Sequence, residues 1–147
     1  MARKKIQTIL AFDFGLRQVG VAVGNMALRS TQALTIVKAK NGKPDWQTLE
    51  KIVRDWQPDL LVVGDPLNMD GSAGDMSRRA HKFARRLHGR WGTAVEMTDE
   101  RLSSFEAKQS MREQGHRGNY KDKPIDSYAA ELILQTWFTK ATEKTAN

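Results

Sequence analysis

The chain has 147 residues, no Cys, and 24 Lys and Arg against 17 Asp and Glu, for a formal net charge of +7. That length suits one domain with an ordinary core, and the absence of thiols excludes disulfides, thiolate metal sites and a Cys nucleophile. The positive balance favours a polyanionic partner, nucleic acid first; with no apolar stretch of membrane-spanning length and a start that leads into a strand rather than a signal-peptide core, a cytoplasmic protein without membrane contact is expected.

Ile9-Leu10-Ala11-Phe12-Asp13-Phe14-Gly15 is an apolar run with one acid near its end. Such a run reads as a strand buried on both faces, where a carboxylate needs a cation or a hydrogen-bond donor. Asp13 is therefore either a ligand or a cap on the turn at Gly15. Gln18 to Gly24 follows, with Val at odd positions and Gly or Ala at even ones. The short Gly15-Leu16-Arg17 link makes a hairpin whose second strand has one branched face and one bare face, open to close approach by a helix or a substrate backbone.

Ala33 to Val37 reads as a third strand and Lys38 to Pro44 as a polar loop. Asp45 caps a helix carrying Trp46, Leu49, Ile52, Val53 and Trp56 at helical spacing, stopped by Gln57-Pro58. Leu60 to Gly64 is a buried parallel strand, and Asp65 to Ser72 a loop rich in turn residues. The most periodic helix comes next, with Met76, Ala80, Phe83, Ala84, Leu87 and Trp91 on one stripe. Its remaining positions carry Arg78, Arg79, Lys82, Arg85, Arg86 and Arg90, with no acid between Arg78 and Arg90. A solvated face usually mixes signs, so this one reads as phosphate-facing; His81 and His88 lack metal-ligand spacing and read as surface residues.

Ala94 to Thr98 is a short strand ending in Asp99-Glu100-Arg101. Ser103 and Glu106 form a capping box for a helix to Gly115. Residues 115–123 form a basic loop in which Arg117, Tyr120 and Lys121 are candidate nucleic-acid contacts, Tyr120 by stacking on a base. Pro124 opens the last helix. The expected fold is α/β: a five-stranded mixed sheet, three antiparallel strands and then two parallel, with helices on both faces in a single domain over residues 1–140 and a frayed tail over 141–147.

Ligands of such sheets gather beyond the carboxyl ends of the strands, where Asp13 and either Asp99 or Glu100 lie. Asp126, in the first turn of the last helix, starts the stripe Asp126, Ala130, Ile133, Trp137 that should face the sheet; its bland role is a charge at a helix N-terminus. Three carboxylates without His or Cys suit Mg²⁺ or Mn²⁺, and two such ions serve phosphodiester hydrolysis.

DFGLRQVGVAVG, VGDPLNMDGS, TDERLSSFEA and KPIDSYAAELIL, in that order, resemble the successive motifs of the YqgF (RuvX-like) family. The resemblance covers nearly the whole chain. It implies the RNase H-like fold shared by Holliday junction resolvases, and it matches Asp13, Glu100 and Asp126 to the family's acidic triad, choosing Glu100 over Asp99. It further implies a nuclease that matures the 5′ end of the 16S ribosomal RNA precursor, or alternatively a resolvase of branched DNA. A non-catalytic nucleic-acid-binding module is the reading from another class. The resemblance leaves a monomer or weak homodimer open. The sequence departs from the family at Gln18, where a basic residue is usual, and at Asp65, where Leu is usual. Asp65 is thus either a fourth metal-binding carboxylate or a residue that shapes the turn before Pro66.

Overall fold

Strict alternation along β1 (Thr8–Phe14) sorts its side chains into two cores. Leu10 and Phe12 point to one face of the sheet and Ile9 and Ala11 to the other, and all four are fully buried. The computed structural model describes residues 6–99 and 125–146, with side chains in the last helix described over 128–141. Glu100, the expected helix from Ser103 to Gly115, the loop bearing Arg117, Tyr120 and Lys121, and Pro124 lie outside the described residues.

The remaining strands are β2 (Gln18–Asn25), β3 (Ser30–Lys40), β4 (Lys43–Pro44), β5 (Leu60–Asp65) and β6 (Ala94–Asp99). With β1 they form one sheet in the order β4-β3-β2-β1-β5-β6. β1 to β4 pair antiparallel in sequence order, whereas β5 joins β1 and β6 joins β5 in parallel. The mixed sheet is as expected, but among the described residues it has six strands, not five. The extra one, β4, is two residues long and ends in Pro44, which lacks an N–H and is tolerated at a sheet edge. Periodicity has nothing to act on in so short a segment. Asn41 and Gly42, both at positive φ (52° and 81°), make the tight β3–β4 turn.

One face of the sheet is covered by α1 (Trp46–Trp56) and α2 (Asp75–Trp91). Leu10, Phe12, Val19, Val21, Val37, Leu61 and Val63 meet Leu49, Phe83 and Leu87 there. Each such fully buried side chain contributes about 1.5–3 kcal/mol of transfer free energy. Asp45 caps α1 as expected, its Oδ2 accepting from Thr48 Oγ1 at 2.9 Å, and α1 ends at Gln57 in the left-handed conformation. The Pro66 to Ser72 motif is a self-bonded loop in which Asp70 Oδ1 accepts from both the backbone N–H (2.9 Å) and the hydroxyl (2.6 Å) of Ser72.

The opposite face is covered by α3 (Ile125–Ala146), whose helical backbone continues well past Phe138. Ala130, Ile133, Leu134, Trp137 and Phe138 pack on Ile9, Ala11, Ala22, Leu60 and Val62. The bare face of β2 thus receives a helix. A Cβ on Gly24 would stand 2.7 Å from Leu134 Cδ2, closer than packed atoms allow. Among the described residues three polar contacts fix α3 across the sheet: Thr31 Oγ1 donates to Glu131 Oε2 (2.7 Å), Gln135 Nε2 donates to Thr31 Oγ1 (3.3 Å) and Trp137 Nε1 donates to Glu96 Oε1 (3.2 Å).

Candidate active site

Asp13 is the penultimate residue of β1, at the carboxyl end. Alternation puts its side chain on the α3 face with Ile9 and Ala11, while Phe14, the next residue, turns to the α2 face and stacks on Phe83. Its partner on β2 is Gly20, and on the β5 side the paired register ends one residue earlier, at Phe12–Val63, with Gly64 next along β5. Gly64 in turn pairs with Thr98 on β6, which is buried. Both Gly20 and Gly64, the residues that flank the Asp13 level on the neighbouring strands, lack a side chain. Asp13 is partly exposed, so the carboxylate remains within reach of a ligand.

The turn that follows is equally constrained. A Cβ on Gly15 would stand 2.8 Å from the carbonyl oxygen of Gln18, so only glycine lets β1 fold back into β2 directly after the acid. Gln18 itself faces Lys38 across the β2–β3 ladder, which supplies a neighbouring cation where the family usually carries one at the Gln18 position.

Asp99 lies in register with Asp65, and it shares its face with Val95 and Met97, which pack on the α2 core. Asp99 therefore belongs to the face opposite Asp13, which the spacing alone left open. Asp126 lies in the first turn of α3. Among the described residues no three His, Asp or Glu side chains gather as a metal site.

Asp65 shapes the turn before Pro66, its carbonyl accepting from Leu67 N–H at 2.9 Å, but its side chain does not sit where a fourth ligand to the Asp13 site would. It is the last residue of β5 and shares the α2 face with Leu61 and Val63, so it points away from Asp13. Its side chain is only 11% exposed. Ser77 Oγ, fully buried on α2, donates to its Oδ1 at 2.6 Å, and His81 Nε2 donates to its Oδ2 at 2.8 Å. The carboxylate fastens β5 to α2. His81, expected on the surface, turns one ring edge inward, whereas His88 is exposed and bonds Thr93 O (3.0 Å). Ser77 escaped sequence reasoning because a Ser beside the apolar stripe carries no signal until its acceptor is known.

Replacing Asp65 with Leu is accordingly expected to leave the divalent-ion concentration for half-maximal cleavage unchanged. Stability should fall by about 1–3 kcal/mol, because the buried Ser77 hydroxyl loses its acceptor. Adding Ser77→Ala should recover part of that loss in urea unfolding. A shifted metal titration would reinstate Asp65 as a ligand.

The cationic face of α2 divides in two. Arg79, Lys82 and Arg86 line a cleft with Lys43, Phe14, Trp46 and Phe83. Arg85 faces the β6 side with His81 and His88, and Arg78 lies 3.9 Å from Asp75 on the exposed surface. No helix among the described residues is long and apolar enough to cross a membrane.

Residues 7–140 match the RuvX family, described as Holliday junction resolvase. The chain belongs to the RuvX family. It is 55% identical over 142 residues to the "Putative pre-16S rRNA nuclease" of Chromohalobacter salexigens, covering 97% of this chain and 96% of that one. A relative of the same name from Saccharophagus degradans is 50% identical over 132 residues, covering 90% and 93%. Among solved structures, T. thermophilus RuvC in complex with Holliday junction substrate superposes with a TM-score of 0.61 at 14% identity, covering 93% of this chain and 96% of that one. At that identity the likeness shows the fold, which is RNase H-like. RuvX membership makes the chain a nuclease, a hydrolase.

Proposed function

We propose that the chain is a divalent-metal-dependent endonuclease that trims the 5′ end of the 16S ribosomal RNA precursor, using Asp13, Glu100 and Asp126. The observation that carries this reading is Asp13, a partly exposed acid at the carboxyl end of β1, paired with Gly20 and on the face covered by α3. Asp126, in the first turn of the helix that covers the same face, is taken as its companion from the family resemblance. The substrate is the one after which the relatives that share half or more of the sequence are named.

The donor set fits a hard cation, being carboxylate oxygen without His or Cys. Bound Mg²⁺ or Mn²⁺ would supply an activated water and charge stabilisation at the leaving oxygen. Asp13, Glu100 and Asp126 hold it in this reading, Asp126 from the first turn of α3. Arg78, Arg79, Lys82, Arg85 and Arg86 supply phosphate contacts, with Arg117 and Lys121 as further cations and Tyr120 stacking on a base. These residues give affinity rather than chemistry.

The family description favours a second reading, cleavage of four-way DNA junctions. The discriminating experiment incubates the protein with precursor rRNA and with a four-way junction, with Mg²⁺, with Mn²⁺ and with chelator. Metal-dependent trimming of the RNA, with the junction intact, is the expected result. Junction cleavage with intact RNA would replace the first reading by the second, and no cleavage of either would leave a binding module.

A further inference from the structure

The cleft between α2 and the β3–β4 turn has a composition that the acid site does not explain. Its floor is aromatic: Phe14 stacks on Phe83 with centroids 5.0 Å apart and planes 30° apart, and Trp46 lies against the same ring at 5.9 Å and 31°. Its rim carries Lys43, Arg79, Lys82 and Arg86, and no acid lines it among the described residues. Arg79 alone has an acidic partner nearby, Asp75 at 3.4 Å, in a pair exposed enough to be worth little. The wall opposite α2 is the Asn41-Gly42 turn, anchored by Gly42 N–H donating to Leu16 O at 2.9 Å. Arg90 covers the Trp46 ring at 4.2 Å, so the floor is braced from within the protein.

The cavity measures about 110 Å³, well below the ~300–1,000 Å³ of pockets that enclose whole ligands. One base ring fits inside, its phosphate staying outside at the cationic rim, and a duplex does not fit. A base inside a duplex has both faces stacked and cannot offer one to an aromatic floor; an unpaired base can.

We infer that this cleft binds one unpaired nucleotide of the substrate strand, its base against Phe14 and Trp46 and its phosphate among Lys43, Lys82 and Arg86. The inference rests on the nuclease reading for its source of ligand. Phe14 follows Asp13 directly, so cleft and acid lie at the same end of the sheet on opposite faces. A single strand crossing that end is held by a nucleotide flanking the cut, which gives the enzyme a preference for single-stranded segments beside its target.

The test uses the full-length Asp13→Asn protein in chelator, so that binding is read without cleavage. The Trp46 indole N–H resonance, assigned by Trp46→Phe, is followed in titrations with adenosine 5′-monophosphate, adenosine and inorganic phosphate. The monophosphate should bind at least about tenfold tighter than either fragment, since stacking and charge contribute together. Lys82→Ala with Arg86→Ala should remove that shift and weaken binding of a single-stranded oligoribonucleotide more than that of a blunt duplex. Arg78→Ala with Arg85→Ala, an equal charge loss outside the cleft, should weaken both nucleic acids alike and spare the monophosphate. Phosphate binding as tightly as the monophosphate, or the two double variants behaving identically, would overturn the inference. Failure of the wild-type protein to cleave RNA would overturn the nuclease reading and leave these titrations standing.

Discussion

Asp13→Asn is expected to lower cleavage by more than about a hundredfold, since losing a partner one shell outside a metal site already costs about 10–100-fold. The substitution keeps the size and one acceptor oxygen, removes the charge and turns the other oxygen into a donor NH2 that cannot ligate a cation. Gly20 and Gly64 on the flanking strands leave no side chain there to substitute for the lost carboxylate. Binding of precursor rRNA in chelator should be unchanged or slightly tighter, because a negative charge near the phosphate is gone while every cation remains. Glu100→Gln and Asp126→Asn should behave the same way. Single-turnover cleavage and filter binding on the same preparations separate the two readouts, and undiminished cleavage by any two of the three variants would refute the triad.

Phe83→Ala should be the most destabilising single truncation in the α2 face, costing about 3–5 kcal/mol. Phe83 is 2% exposed and touches Phe12 edge-on at 5.8 Å as well as Phe14 and Trp46. Its ring joins α2 to both α1 and β1, so its removal leaves a cavity lined by three rings. Against a total stability of about 5–15 kcal/mol for a domain, that loss is a large fraction. Phe83→Leu, closer in volume, should cost less, and the exposed Arg85→Ala should stay within about 0.5 kcal/mol of the parent. Urea midpoints measure all three. A loss below about 1 kcal/mol for Phe83→Ala would mean that α2 does not depend on this contact.

Several elements were legible in the residues alone because the rules that made them are local. The alternation of Val with Gly and Ala in β2, the unbroken run of β5, the Asp45 cap and the stripes of α1 and α2 each follow from spacing over a few residues. So did the mixed sheet, since a three-residue link enforces an antiparallel pair and a helical crossover a parallel one. The bare face of β2 announced a close approach, and the sequence left open whether helix or substrate would make it. Leu134 at Gly24 answers that a helix does.

What the tertiary structure alone decided is which face of the sheet each acid serves. Asp13, Asp65 and Asp99 all stand at carboxyl ends of neighbouring strands, and in sequence they look equivalent. Side-chain direction in a strand reverses with every residue, so a shift of one position in register moves a carboxylate from one core to the other. The observed pairing, Phe12 with Val63 and Asp65 with Asp99, sends Asp13 to the α3 face and the other two to the α2 face. Asp65 then finds Ser77 and His81, residues 12 and 16 positions away, which no local pattern joins to it. The cleft of Phe14, Trp46 and the α2 cations is assembled in the same way, from four elements distant in the chain. Local chemistry determined the elements and the triad's residue types; the register of long-range pairing determined which side chains share a site.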